Sequence, residues 1–431
     1  MKKIYWILLA GFIFRLVLAF FIWHPDVNNH VDWGIRFWQY GASKFYLPET
    51  NIWSYTWPNQ PPGTILMFAG IRKLYEFIFS ILWFINIKIP VFPSIIITFA
   101  EERLYPALLK LPSILADLGI GLLIYKIINY QLVISNLKNK NRLAALGLIL
   151  WLFNPVIWYN SAVWGQTDAV INFLALLAFY FLIINKRLTL SLIAITLCFY
   201  IKASLLIFLP VYLILLFKQR LKIYELVRAL IVVLIIILIP TLLFSNGNPA
   251  VWLFNLYREK VFTNQLQLIT ANAFNLWTLL TGIDEKPQTL LLGPLSYQNW
   301  GLILFAIFST PVLWFSLKKG EVYTVLWTLT IISFSSFMFL TNMHERYLYP
   351  LFPVLTILAV MDVKLLIVYI IVSVINLLNL YNFWWIPMIA PIFHFLSDHN
   401  RVATKLLSFV NVAAFSYVCF RFLRLLKSQK I

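Results

Sequence analysis

From Ala229 to Phe244 the chain runs for 16 residues without a charge, and comparable apolar stretches recur along its length. About 20 apolar residues bridge the hydrocarbon core of a bilayer. Backbone placed there must close its own hydrogen bonds, which favours packed helices. The composition agrees, with 61% hydrophobic and 12% charged residues in 431, against about a quarter charged in soluble domains. The expected fold class is therefore an all-α polytopic membrane protein. About twelve transmembrane helices fit, at residues 4–22, 105–128, 143–159, 168–184, 188–200, 203–217, 229–244, 299–317, 322–340, 347–360, 364–380 and 402–420.

The net charge of +18 sits in short clusters between apolar spans. That is a topology signal and does not suit nucleic acid. Leu137–Arg142, Asn185–Arg187, Lys218–Lys222, Lys318–Lys319, Asp362–Lys364 and the Arg421–Lys430 tail all fall on one side of such a bundle. By the bias of Lys and Arg that side, with both termini, is cytoplasmic, as in a plasma-membrane protein. Cys198 and Cys419 both lie in apolar stretches and offer neither a disulfide framework nor a metal site. The segment Ile4–Ile22, behind Lys2 and Lys3, reads as a retained anchor because no small-x-small cleavage site follows it.

Two outer loops are long, residues 23–104 and 245–299, and long loops usually carry function. The first is only half polar, so helices lying in or dipping into the interface are expected there. A transmembrane pair is the rival reading.

The polar residues crowd these outer segments. His24, Asp26, His30 and Asp32 stand directly after the first span. A hydroxyl attacking an anomeric carbon must lose its proton, and a nearby carboxylate can accept it, so Asp32 or Asp26 is a candidate base. The same four residues are an alternative set for a divalent metal such as zinc or manganese, and solvated loop residues are the plain reading. Trp164, Gln166, Asp168 and Asn160 form an aromatic and amide mixture suited to sugars, or else an interfacial belt with helix caps. His344, Glu345 and Arg346 follow at another span end. Arg346 is a candidate for gripping a phosphate and His344 for donating to it, or Glu345 and Arg346 form a structural pair. Lys202 is a further phosphate candidate or a snorkelling anchor. Arg15 either faces a polar cavity or snorkels.

In order along the chain, Phe14-Arg15-Leu16, Asp32 with Trp38, Gly41 and Tyr46, Asn59-Gln60-Pro61-Pro62-Gly63, Asn154-Pro155-Val156, Trp164-Gly165-Gln166-Thr167-Asp168, Lys202 before Pro210, Ala271–Trp277 and Met343-His344-Glu345-Arg346-Tyr347 form a pattern. It resembles the predicted bacterial and archaeal membrane mannosyltransferases related to the GPI-anchor mannosyltransferases, within the glycosyltransferase C fold. The resemblance spans nearly the whole chain. It implies a polyprenyl-phosphate sugar donor, inverting hexose transfer to a lipid-linked or surface glycan acceptor, and a site on the non-cytoplasmic face. It puts the base on Asp32, with Asp26 second, and the phosphate it implies is expected near the candidates Arg346, His344 and Lys202 named above. Sugar or acceptor contacts would come from Trp164, Gln166, Asp168, Asn160, Glu345, Asn275 and Trp277. It also implies a shared module, residues 1–244, and a variable one, residues 245–431. Asn29 and His30 stand where some relatives have a second acid, which leaves metal dependence open. A flippase for lipid-linked oligosaccharide is the main rival, disfavoured by the lack of repeats and the one-sided polar clusters. A glycan polymerase or ligase would share the chemistry but not the substrate.

Overall fold

The structure is a computed structural model that describes residues 2–47, 57–134, 140–219, 222–259, 266–398 and 400–428. It is nearly all-α, and a two-stranded hairpin, Leu291–Leu292 with Leu295–Ser296, is its one sheet among the described residues. Seven helices are long and apolar enough to cross a membrane: Lys3–Phe21, Ile95–Gln131, Ile223–Leu242, Tyr297–Lys318, Val322–Phe339, Val363–Tyr381 and Val402–Lys427. An eighth is made if Lys140–Leu152 and Pro155–Trp164, bent by 45°, count together. Proline causes the bend, because Pro155 has no amide hydrogen to extend the preceding helix, and Asn154 restarts the next turn by accepting from Val156 N at 2.9 Å.

Helices stand at all twelve expected positions, but Asp168–Ile184, Leu188–Ile201 and Ala203–Phe217 are short, and so is Leu351–Met361. The expected second span begins earlier, at Ile95, so one helix of 37 residues runs from Ile95 to Gln131.

Val322–Phe339 is buried along almost its whole length and lies at the centre of the bundle. Ile223–Leu242 presents nearly all its side chains outward. In water such a helix would be an aggregation site, whereas lipid tails are as apolar as leucine. These features are those of a polytopic membrane protein.

The segment read as the first outer loop is largely helical. Val27–Tyr40 is an amphipathic helix whose Val27, His30, Trp33, Gly34 and Phe37 face inward at spacings of three and four. His30 and Asp32 among the buried positions blur that periodicity in the sequence. Pro62–Lys88 follows, beginning where Gly63 meets the end of a neighbouring helix. A Cβ on Gly63 would lie 2.6 Å from the Tyr200 carbonyl, so only glycine permits this approach. Thr64 Oγ1 then donates to Ile201 O at 2.6 Å and holds the two helix ends together.

Inside the bundle, polar groups are matched to one another. Arg15 is fully buried and donates to Asp117 Oδ2 at 2.9 Å and to Leu152 O at 2.8 Å. It therefore does not snorkel. Asp117 also accepts from Ser161 at 2.6 Å and from Tyr349 at 2.7 Å, which satisfies a carboxylate placed among apolar helices.

Candidate active site

A cavity of about 1150 Å³ opens at one end of the bundle, above the end of Leu188–Ile201 that carries Lys202. Single small-molecule sites usually hold about 300–1,000 Å³, so this cavity has room for more than one ring system. Its wall draws on both halves of the chain, with Asp26, Gln166, Asp168 and Lys202 from the first and Glu345 and Arg346 from the second.

Asp26 precedes the first turn of Val27–Tyr40. Its Oδ2 accepts from Trp164 Nε1 at 2.9 Å and Gln166 Nε2 at 2.8 Å, while Oδ1 has no hydrogen-bond partner among the described residues. The carboxylate is thus held by one oxygen with the other left for a ligand. Gly165, at φ 75°, makes the turn between Trp164 and Gln166 that lets both side chains reach the same atom. The Gln166 carbonyl is fixed from behind by Ser113 Oγ at 2.6 Å.

The cations lie together. Lys202 Nζ bonds Asp168 Oδ1 at 2.7 Å, and Arg346 Nε is 4.0 Å from Asp168 Oδ2. Arg346 also pairs with Glu345 Oε1 at 3.1 Å and lies over the rings of Tyr347 and Trp164. Burial works against the Arg346 charge, but Tyr347, Glu345, Asp168 and Asp26 outweigh it and keep the guanidinium protonated. Burial pulls Lys202 down, opposed by Asp168 and reinforced by Arg346. Asp168 Oδ2 and Arg346 Nε are buried with no hydrogen-bond partner among the described residues. A tetrahedral oxyanion would supply acceptors that a guanidinium and an ammonium can share.

Glu345 is pushed up to about 7 by burial, with the Arg346 charge opposing. The histidines are the reverse case. Burial lowers His24 and His30 to about 3, with nearby cations adding to it, and His344 falls well below its ordinary value for the same reason. All three are neutral near pH 7. His344 is therefore placed to give a hydrogen bond rather than an imidazolium charge.

The structure separates the two candidate bases. Asp32 does not line the cavity and pairs with Arg36 at 3.0 Å one helical turn on. Asp26 and Asp32 are six residues apart, so on a helix they face different directions.

The alternative metal set is not assembled either. His24 is held between the rings of Trp164 and Trp384, each at 4.6 Å, and His30 stacks on Phe68 at 4.3 Å. Among the described residues no three His, Cys, Asp or Glu side chains converge as a metal site.

Four expected sugar contacts do not line the cavity. Asn275 caps Leu276–Thr281, accepting from Trp277 N at 3.0 Å and Thr278 N at 3.2 Å, and donates to Phe337 O at 3.0 Å. Trp277 is buried and donates to Phe339 O at 2.7 Å. Asn160 is fully buried and, like these two, does not line the cavity. Trp164 is buried one layer behind Asp26 and acts on it rather than on the cavity.

Two features of the wall were given no role in the sequence. Asn29, Asn59 and Gln60, quoted above only as parts of a pattern, line the cavity together with Asn172 and bring neutral amides to it. Asn272 and Asn342, at φ 68° and 61°, shape the rim, and asparagine tolerates that left-handed region better than most residues. Asn272 exchanges hydrogen bonds with Asn382 at 2.7 and 3.1 Å, while Asn379 donates to its carbonyl at 2.5 Å. Asparagines at spacings of three on Val363–Tyr381 and its end were the available signal. No protein-family model matches this chain, and no curated protein matches it.

Proposed function

We propose that the chain is an inverting membrane glycosyltransferase that moves a hexose, with mannose the first candidate, from a polyprenyl-phosphate donor to a lipid-linked or surface glycan acceptor. The observation that carries this reading is the arrangement of Asp26, with Oδ1 unpaired, in the same cavity as the Lys202 and Arg346 cations. In the proposed step the acceptor oxygen forms a bond to the anomeric carbon as the bond from that carbon to the phosphate oxygen breaks. Asp26 takes the acceptor proton. The phosphate leaves as an anion toward Lys202 and Arg346, with a hydrogen bond from neutral His344. Cations fixed before the reaction stabilise developing charge most strongly in a water-poor site. Gln166 orients Asp26, and the cavity amides hold sugar hydroxyls.

The proposed topology has twelve spans, the short helices crossing with their neighbours, in a glycosyltransferase C arrangement with a first module to residue 244 and a second from 245. Both termini are cytoplasmic in the plasma membrane, and the cavity opens on the outer face. The exposed apolar side chains of Pro62–Lys88, including Phe77, Trp83 and Phe84, suit the interface there.

The test is transfer by purified protein in nanodiscs from a panel of polyprenyl-phosphate hexoses to lipid-linked acceptors, with wild type beside Asp26→Asn. Transfer by wild type alone supports the proposal, and equal transfer by both removes Asp26 as base. No transfer from any donor, together with movement of lipid-linked glycan across vesicles, would favour the flippase.

A further inference from the structure

A second cleft, of about 620 Å³, lies at the other end of Leu188–Ile201 from Lys202. That helix has 14 residues, so the two cavities are separated by about 21 Å along its axis. The cleft is made by two turns, around Lys186 and Arg187 and around Gln219, and by the first turns of Ile223–Leu242.

Lys186, Arg187 and Arg228 line it. None of the three is within 4.0 Å of a carboxylate among the described residues. Their hydrogen bonds go to neutral partners, Arg228 to Thr189 at 3.3 Å and Lys186 to Gln219 at 3.5 Å. The single lining acid, Glu225, is engaged in starting its own helix, accepting from Lys222 N at 3.3 Å. The cleft is therefore a concave site whose three cations outnumber its one carboxylate.

Directly beside it, Ile223, Val227, Leu230 and Leu234 form an outward stripe spaced four, three and four residues apart, each at least 47% exposed. A cationic cleft ending in an apolar stripe matches a molecule with an anionic head and a hydrocarbon tail. A soluble anion would leave the stripe unused, and a zwitterionic lipid would leave the charge uncompensated.

We infer that this cleft binds an anionic phospholipid, its phosphate between Lys186, Arg187 and Arg228 and an acyl chain along Ile223, Val227, Leu230 and Leu234. The site is independent of the transferase reading.

The test uses the full chain in detergent micelles, titrated with phosphatidylglycerol and separately with phosphatidylcholine, bound lipid being counted by native mass spectrometry. Wild type should retain phosphatidylglycerol preferentially. Lys186→Gln/Arg187→Gln/Arg228→Gln should weaken that preference by on the order of a hundredfold, three surface cations being removed. Arg228→Gln alone should give a partial loss. Lys140→Gln/Arg142→Gln, at another basic turn, should leave it unchanged. Far-UV circular dichroism reports whether each variant is folded, and the singly substituted chain keeps the test informative if the triple variant is not. An unchanged preference in folded Arg228→Gln and triple variants would overturn the proposal. So would equal loss in Lys140→Gln/Arg142→Gln, or displacement of the lipid by equimolar inorganic phosphate.

Discussion

Tyr349 donates to Asp117 at 2.7 Å across 232 positions of sequence, tying the segment that carries Arg346 to a carboxylate that already holds Arg15 and Ser161. Ser161 leads into Trp164, and Trp164 holds Asp26. One buried carboxylate thus braces both the proposed base and the proposed phosphate contact.

Asp117→Leu should consequently destabilise the protein by about 3–5 kcal/mol, since it strands the Arg15 charge. Arg15→Met/Asp117→Leu should recover much of that loss, because apolar pairs often replace buried ion pairs at little cost. Tyr349→Phe removes one hydrogen bond to a charged group and should cost about 1.5–3 kcal/mol. Urea or thermal unfolding in one detergent ranks the three.

Asp26→Asn should lower sugar transfer by about 10²–10⁴-fold, the usual worth of a positioned base. Asp32→Asn, which weakens the ion pair to Arg36 outside the cavity lining, should keep transfer within a few-fold. Matched rate measurements with equal donor occupancy would show it, and the reverse ranking would restore Asp32.

Lys202→Met leaves Asp168 buried, with only Arg346 nearby at 4.0 Å. A loss of about 3–5 kcal/mol is expected. Asp168→Asn/Lys202→Met should fold better than Lys202→Met yet fail to transfer sugar, which a purely structural pair would not do. Thermal midpoints and transfer rates measured on the same preparations separate the two roles.

The histidines set the response to acid. His24 and His30 have folded-state values lowered to about 3, and His344 is also depressed, so the unfolded chain binds more protons than the native one below about pH 6.5. Stability should fall as pH drops through 6.5. Glu345, raised to about 7, works in the opposite sense between its ordinary value and 7, where the native state holds the extra proton. Glu345→Gln should therefore steepen the acid loss. Thermal midpoints from pH 5 to pH 7.5 for wild type and variant give the comparison.

The long apolar helices were legible because lipid asks of them only length and lack of charge. Val27–Tyr40 was not, since its inward face includes His30 and Asp32 among the apolar positions. Lys202, Asp168 and Arg346 were each visible as unusual residues at span ends, but nothing local could announce that they share one cluster. Asn275 misled for a physical reason, an asparagine beside aromatics serving a helix start as readily as a sugar. Asp117 was passed over as a lone acid in an apolar run, although the buried Arg15 in another span called for such a partner.

Arg15 also bears on how the chain is made. It enters the membrane on a helix that is otherwise mostly open to lipid, and its carboxylate lies 102 residues further along. At about 5–20 residues per second, that interval lasts about 5–20 s. Throughout it the first helix carries a solitary cation that hydrocarbon disfavours. Its final seat in the bilayer is settled only when the helix bearing Asp117 has been synthesised, so this helix is made well before it can dock.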